Sequence, residues 1–470
     1  MNPTYDVTVL GGGPGGYVAA IRASQLGGKV ALVEKERVGG TCLNWGCIPT
    51  KAMHRSADLY RTMKNAAVYG IRVSGLELDF AQLMKRKDAI ADQLVQGVQQ
   101  LLKANGVDVY AGTGEIVEPG RVRISGQRES DISTRNILIA TGSRPAQIPL
   151  PGVDLPGVMT SDDALKMQRL PEKLVVIGGG VIGVEFASIL ATLGSEVVIV
   201  EMLPRLLPPV DEEISKRLAI LLKRSGVQTF TAAKVKSIRQ EGDRLAVDVE
   251  TKKGDEVFVA DSVLVATGRV PFFGGLDLER LGISYDRRKG IQVNRQMQTS
   301  VKGIFAVGDC VGGSMLAHVA SHEGMVAAAN MMGQQEEVSY EAIPNAVFAL
   351  PEVASVGLTE EAAKDSGIPV VVSKFSFSAN GKALALGETD GLVKVIAREE
   401  DHVVVGAHIM GPHASDMIQE AVLAVRWKMT SHQMAEAIHA HPTLPEAMHE
   451  AALGIHGQLI HMATGGAKKR

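Results

Sequence analysis

Cysteine is scarce in this chain, with three in 470 residues. That number excludes a secreted scaffold built from many disulfides. A charge excess of one sign is missing too. The formal net charge is −3, so neither a nucleic acid nor an acidic membrane surface is implied as a partner. Uninterrupted apolar runs of membrane-spanning length are absent. The most apolar long stretch, Leu174 to Leu193, contains Glu185 and a glycine cluster, which fits a buried strand–turn–helix better than a membrane span. The first ten residues, Met-Asn-Pro-Thr-Tyr-Asp-Val-Thr-Val-Leu, run straight into a strand pattern. They lack the basic and apolar regions of a secretory leader, so the cytoplasm is the expected location. What remains is an ordinary globular composition, 45% hydrophobic and 21% charged, long enough for about two to four domains.

Glycine, by contrast, is placed with purpose. A short apolar strand ends in Gly11, Gly13 and Gly16, spaced G-x-G-x-x-G, and a small-residue helix follows. Such glycines permit a tight turn, close approach of backbone to a pyrophosphate, and close helix–strand packing. The helix N-terminus offers N–H groups and positive dipole to phosphates. The next strand ends in Glu34, placed to accept from ribose hydroxyls. The pattern recurs at Gly178, Gly180 and Gly183, and Glu201 follows at the same interval as Glu34 in the first unit. One such loop is weak evidence; two, each between strand and helix and each with its acid, are strong. Ile137-Leu-Ile-Ala-Thr-Gly-Ser and Val263-Leu-Val-Ala-Thr-Gly-Arg are near copies, one after each unit, which points to internal duplication. At the second site Glu201 favours a free ribose 2′-hydroxyl over a 2′-phosphate. Neither Glu201 nor Met202 supplies a cation, so NAD is expected rather than NADP, with Arg205 the nearest basic residue.

Cys42 and Cys47 follow Glu34 closely, in Thr-Cys-Leu-Asn-Trp-Gly-Cys-Ile-Pro-Thr-Lys. In a regular helix, residues i and i+5 have Cα atoms roughly 8.7 Å apart. A disulfide needs about 4.4–6.8 Å. The pair can bridge only if the backbone leaves the helical path, which Gly46 permits. Pro49 suits the first turn of a helix starting just after Cys47, and a thiolate at a helix N-terminus is acidified and reactive. Taken alone, the pair could be two reduced cysteines packing as small hydrophobes. Beside a nucleotide loop, it points to electron transfer through a disulfide.

A second constellation lies near the C-terminus, at His439-Ala-His441-Pro-Thr-Leu-Pro-Glu446. Dithiol chemistry needs a proton carrier near neutral pH. By spacing alone His439, His441 and His449 all qualify, and Thr443 to Glu446 also reads as a helix capping box.

Together these segments, with Thr299-Ser-Val-Lys-Gly-Ile-Phe-Ala-Val-Gly-Asp309, resemble the flavin-dependent pyridine nucleotide-disulfide oxidoreductases nearly end to end. Within them the likeness is to the branch that oxidises dihydrolipoyl groups to lipoyl groups while reducing NAD. The resemblance implies an α/β fold: two Rossmann-like dinucleotide-binding domains, for FAD (1–147) and NAD (148–270), a central segment completing the FAD site (271–344), and a C-terminal α+β dimerisation domain (345–470). It implies that FAD is held by Gly11, Gly13, Gly16, Glu34, Lys51, Gly114, Thr141, Gly142, Ser143, Asp309 and Ala317. Gly178, Gly180, Gly183, Glu185, Glu201 and Gly268 belong to the NAD side. Cys42 would form the mixed disulfide and Cys47 would lie against the flavin. His441, oriented by Glu446, would be the base, reaching the disulfide of the second subunit of a homodimer. Glu185, in an apolar helix, needs a partner, and Lys51 is the best candidate. Cys310 is expected to be buried packing, and Met315 to His318 to lie near the flavin.

The partner implied is a lipoyl-bearing carrier protein of a 2-oxoacid dehydrogenase or glycine cleavage complex. No lipoyl-type domain precedes Met1, so that carrier would be a separate chain. No metal is expected. A glutathione-reductase-like enzyme is the nearest rival, but its relatives carry Ala at the Gly183 position and basic residues near Glu201. Mercuric and large thioredoxin reductases carry a C-terminal redox pair, whereas the tail Gly465-Gly-Ala-Lys-Lys-Arg has no cysteine. A role confined to assembly on a lipoyl complex is the alternative outside catalysis.

Overall fold

The two glycine units build two sheets of the same plan. In the computed structural model, which describes residues 4–126 and 129–463, the first sheet sets Tyr5–Leu10 between Val30–Glu34 and Ser130–Ile139, all parallel. Asp108–Glu118 lies outside Val30–Glu34, and Ile304–Ala306 lies outside Ser130–Ile139. In the second sheet Lys173–Ile177 takes the central place between Glu196–Glu201 and Ser262–Val265. Val227–Thr231 and Val158–Met159 form its edges. Val7–Leu10, Val30–Val33 and Ile137–Ile139 at the centre of this sheet are buried on both faces, which is why they are almost wholly apolar. Each unit also carries a three-stranded antiparallel layer, Asp108–Glu118 to Ser130–Ile139 in the first and Lys234–Glu241 to Gly254–Ala260 in the second. The duplication read from the glycine loops therefore extends to topology.

Ile304–Ala306 comes from far along the chain, so residues after the second unit return to finish the first sheet. The chain crosses between the units twice. The crossings, Ser143–Pro145 and Arg269–Pro271, pair as a short antiparallel ribbon.

The C-terminal part is a five-stranded antiparallel sheet, Asn345–Val347, Glu352–Gly357, Val404–Gly411, Leu392–Arg398 and Val370–Ser376 in spatial order. Helices Ala414–Arg426 and Glu446–Gly454 pack on it through Met417, Ile418, Ala421, Ala447, Met448 and Ala451. No helix among the described residues is long and apolar enough to cross a membrane. The cysteine-free tail Gly465–Arg470 lies outside the described residues, as do the first three residues of the chain.

Candidate active site

Each glycine loop is closed by its own geometry. Gly11 and Gly178 have φ of +107° and +112°, and a Cβ there would lie 2.2 Å from the Ala140 carbonyl oxygen and 2.5 Å from that of Ala266. At Gly16 and Gly183 a Cβ would fall 1.8 and 2.0 Å from the carbonyl oxygen of the first glycine in the same loop. The first and second glycines line the cavity described below, while Gly16 and Gly183 are buried behind it as packing positions. The acids match as well. Glu34 accepts from the Gly12 N–H (2.6 Å) and the Glu36 N–H (2.8 Å). Glu201 accepts from the Gly179 N–H (2.5 Å) and the Leu203 N–H (2.7 Å). Both carboxylates are thus fixed at the tip of a strand by two backbone N–H groups each.

One cavity of about 2070 Å³ is lined by both loops, both acids and both cysteines. Drug-sized ligands occupy roughly 300–1,000 Å³, so this volume suits two dinucleotides. Gly114, Thr141, Gly142, Ser143, Asp309, Ala317 and Gly268 also line it. Asp309 accepts from the Ser143 hydroxyl at 2.5 Å, and Thr141 donates to the Phe272 carbonyl at 2.6 Å. His318 lines the cavity, bonded to the Pro344 carbonyl (3.0 Å), with burial holding its imidazole below the usual range. Loops that exclude side chains, N–H groups at helix starts and a fixed acid at the tip of the next strand fit FAD at the first loop and a second dinucleotide at the other.

Cys42 lies in the helix Gly40–Trp45 and Cys47 begins the helix Cys47–Lys64. The break is at Gly46, where a Cβ would sit 2.8 Å from the Thr41 carbonyl oxygen. The helix thus starts at Cys47 itself rather than just after it. Neither thiol is in a disulfide in this structure, and each shifts the acidity of the other. The hydrogen bond from Cys42, with the nearby Lys51 ammonium, brings Cys47 down to about 7. The same contact and burial push Cys42 well above the ordinary thiol value.

Lys51 Nζ lies 3.0 and 3.1 Å from the two carboxylate oxygens of Glu185, whose helix follows the second glycine loop. Glu185 also accepts from the Phe348 N–H at 2.9 Å, and Lys51 lies 4.3 Å from the Phe348 ring centroid. Three parts of the chain therefore meet at one buried carboxylate. Cys310 is fully buried, its thiol pushed up to about 12 by burial, so it is a packing residue.

His441 Nδ1 and Glu446 Oε1 are 2.8 Å apart. The imidazole side chain is 79% exposed, and neither residue lines the cavity that holds the cysteines. The capping box expected at Thr443 does not form. Its hydroxyl donates to the Ala440 carbonyl (2.6 Å), and the helix begins only at Glu446. Half of that motif survives, since Glu446 Oε2 accepts from the Thr443 N–H at 2.7 Å. Against the upward push of burial, this bond and His441 hold the Glu446 carboxyl below its usual range. The other candidates are engaged elsewhere: His439 with Glu420 (3.0 Å) and His449 with the Ala435 carbonyl (3.0 Å).

Sequence reasoning missed Arg269. Its side chain is only 13% exposed. It donates to the Ser143 hydroxyl (2.8 Å) and carbonyl (3.0 Å), and reaches Asp162 (3.3 Å) and Thr41 (3.5 Å), the neighbour of Cys42. Its place in the second Ala-Thr-Gly echo was the available signal.

Residues 5–324 match the family described as "Pyridine nucleotide-disulphide oxidoreductase", and residues 343–452 match its dimerisation domain. A dihydrolipoyl dehydrogenase of Bacillus subtilis is 44% identical over 98% of this chain and all of its own length. A mitochondrial one from Pisum sativum is 40% identical over 97% of this chain and 92% of its own. Among solved structures, LpdA from Mycobacterium tuberculosis superposes with a TM-score of 0.89 at 28% identity, covering 96% of this chain and 99% of that one. The HOCl-induced flavoprotein disulfide reductase RclA of Escherichia coli gives 0.85 at 28% identity, covering 95% of this chain and 99% of that one.

Proposed function

Because the chain belongs to the pyridine nucleotide-disulphide oxidoreductase family, we propose that it oxidises dihydrolipoyl groups on a carrier protein to lipoyl groups, with FAD as resident cofactor and NAD as final acceptor. The observation that carries this reading is the pair of thiols on the wall of a cavity that both nucleotide loops line.

In the oxidised protein Cys42 and Cys47 form a disulfide. A substrate thiolate attacks the Cys42 sulfur, giving a mixed disulfide and releasing Cys47 as the better leaving group, since the more acidic thiol leaves faster. The second substrate thiol then attacks the mixed disulfide, closing the lipoyl ring and freeing Cys42. Two electrons pass to the protein's sulfurs. Lys51 stabilises the Cys47 thiolate by its charge. When bound, FAD supplies the two-electron relay from this dithiol to the nicotinamide.

His441 accepts the substrate thiol protons, with Glu446 fixing the imidazole by the 2.8 Å contact. As the pair lines a different surface from the cysteines, the base for each disulfide comes from the second subunit of a homodimer, which the family's dimerisation domain supports. The expected carrier belongs to a 2-oxoacid dehydrogenase or glycine cleavage complex, and the expected location is the cytoplasm.

The test is turnover of free dihydrolipoamide by the FAD-loaded protein, read as NADH formation. Full FAD occupancy without NADH formation overturns the proposal. Capture of lipoylated proteins from extract identifies the carrier.

A further inference from the structure

Arg205 is the one basic residue close in sequence to Glu201, and the structure keeps it out of the cavity lining. Met202, Leu203, Leu207 and Pro208 line the cavity, and Arg205 does not. Its guanidinium donates to the Pro208 carbonyl at 3.0 Å and lies 3.7 Å from Glu361 Oε1. Glu361 belongs to the C-terminal domain, in the helix Glu360–Asp365. The same oxygen accepts from the Glu212 N–H at 3.1 Å, at the start of the helix Glu212–Arg224 that follows the cavity loop. Its other oxygen, Oε2, has no hydrogen-bond partner among the described residues, and Arg205 is the cation that faces this carboxylate, whose side chain is 34% exposed. Nearby, Lys394 of the C-terminal sheet grips Asp211, the N-cap of the same helix. The dimerisation domain therefore holds the far side of the loop that shapes the second nucleotide site.

We propose that Glu361 is a specificity-determining residue for the electron acceptor. It sequesters Arg205, so that the adenosine ribose meets the Glu201 carboxylate with no guanidinium beside it, and a 2′-phosphate is refused. This inference rests on the reading of the second site as an NAD site. Two devices act together: Glu201 repels the phosphate, and Glu361 withholds the cation that could offset that repulsion. Lys234 does line the cavity, so any phosphate affinity it provides must be told apart from that of Arg205.

Direct binding of ADP-ribose and 2′-phospho-ADP-ribose to the FAD-loaded protein, by calorimetry, tests the idea without relying on turnover. Measurements in a Glu201→Gln background remove the masking repulsion. Adding Glu361→Gln, which keeps an acceptor for the Glu212 N–H, should raise the preference for the 2′-phosphate about tenfold, the order expected for one charge-assisted hydrogen bond. Adding Arg205→Met should abolish that gain. No gain with Glu361→Gln, or a gain that survives Arg205→Met and so belongs to Lys234, overturns the proposal. In the otherwise native chain, Arg205→Met should leave both affinities unchanged. Loss of 2′-phosphate binding there shows Arg205 already engaged and also overturns it. This arm holds even if the Glu361 variants fold poorly. A native chain that prefers the 2′-phosphate ligand contradicts the NAD reading itself, which is a separate result.

Discussion

Lys394 Nζ lies 2.8 Å from Asp211 Oδ2, with the lysine side chain 1% exposed and the aspartate fully buried. Glu360 Oε2 is 2.7 Å from the same ammonium. The contact joins the C-terminal sheet to the helix Glu212–Arg224 behind the second glycine loop. Burial alone would push the aspartate up and the lysine down. Their pairing outweighs it, holding the carboxyl below and the ammonium above their ordinary values. The depressed carboxyl contributes stability that is present above the unfolded value of about pH 4 and lost as pH falls through the folded one. The raised ammonium contributes below about pH 10.4 and loses that contribution as pH rises through its folded value. Lys394→Met should cost about 3–5 kcal/mol at neutral pH by stranding a buried carboxylate, with partial recovery in the double variant with Asp211→Asn. Denaturant unfolding checks both. A single variant as stable as the parent contradicts the argument.

The thiol pair gives a pH prediction. In the reduced protein Cys47 should titrate near 7, lowered by the Cys42 hydrogen bond and Lys51 and raised by Glu185. Lys51→Met should move the midpoint of the alkylation-rate profile up, and Glu185→Gln should move it down. Mass spectrometry of the alkylated peptide assigns the sulfur. Movement in the same direction for both variants contradicts this electrostatic account.

Replacing either redox sulfur by oxygen should stop lipoyl oxidation while the protein keeps its flavin. Cys42→Ser and Cys47→Ser should each lose at least about a thousandfold in kcat, because a hydroxyl neither forms nor leaves a disulfide. Flavin absorbance after gel filtration gives the occupancy. Cys310→Ser, at a position sealed behind the site, should remain redox competent.

His441→Gln should lower turnover by roughly 10²–10⁴-fold, the range for a lost general base. Glu446→Gln keeps an acceptor for the Thr443 N–H and should lose less. Mixed dimers of Cys47→Ser and His441→Gln chains distinguish the proposed shared site from a site within one chain. If the base comes from the second subunit, each heterodimer holds one intact site and activity returns. Activity no greater than that of His441→Gln homodimers rules out the shared site in favour of two defective ones.

Much of this was legible because local rules leave signatures. Glycines forced by close backbone approach mark both loops, and an acid at the end of the next strand accompanies each. The Lys51–Glu185 contact was legible because a carboxylate in an apolar helix needs a partner. Other contacts between residues far apart in sequence were not. The Phe348 N–H on Glu185 and the Arg205–Glu361 pairing have no periodicity or motif to announce them, and the Ala-Thr-Gly echo marks the position of Arg269 but not its four contacts. Thr443 misled for a physical reason: its hydroxyl found the Ala440 carbonyl, and the helix start moved to Glu446.

The two chain crossings, Ser143–Pro145 and Arg269–Pro271, run side by side. Everything between them leaves and re-enters the first unit through one narrow doorway. A segment attached in this way can be exchanged as a cassette with two neighbouring splices. Lineages could then trade one terminal electron carrier for another while the sulfur chemistry stayed where it was.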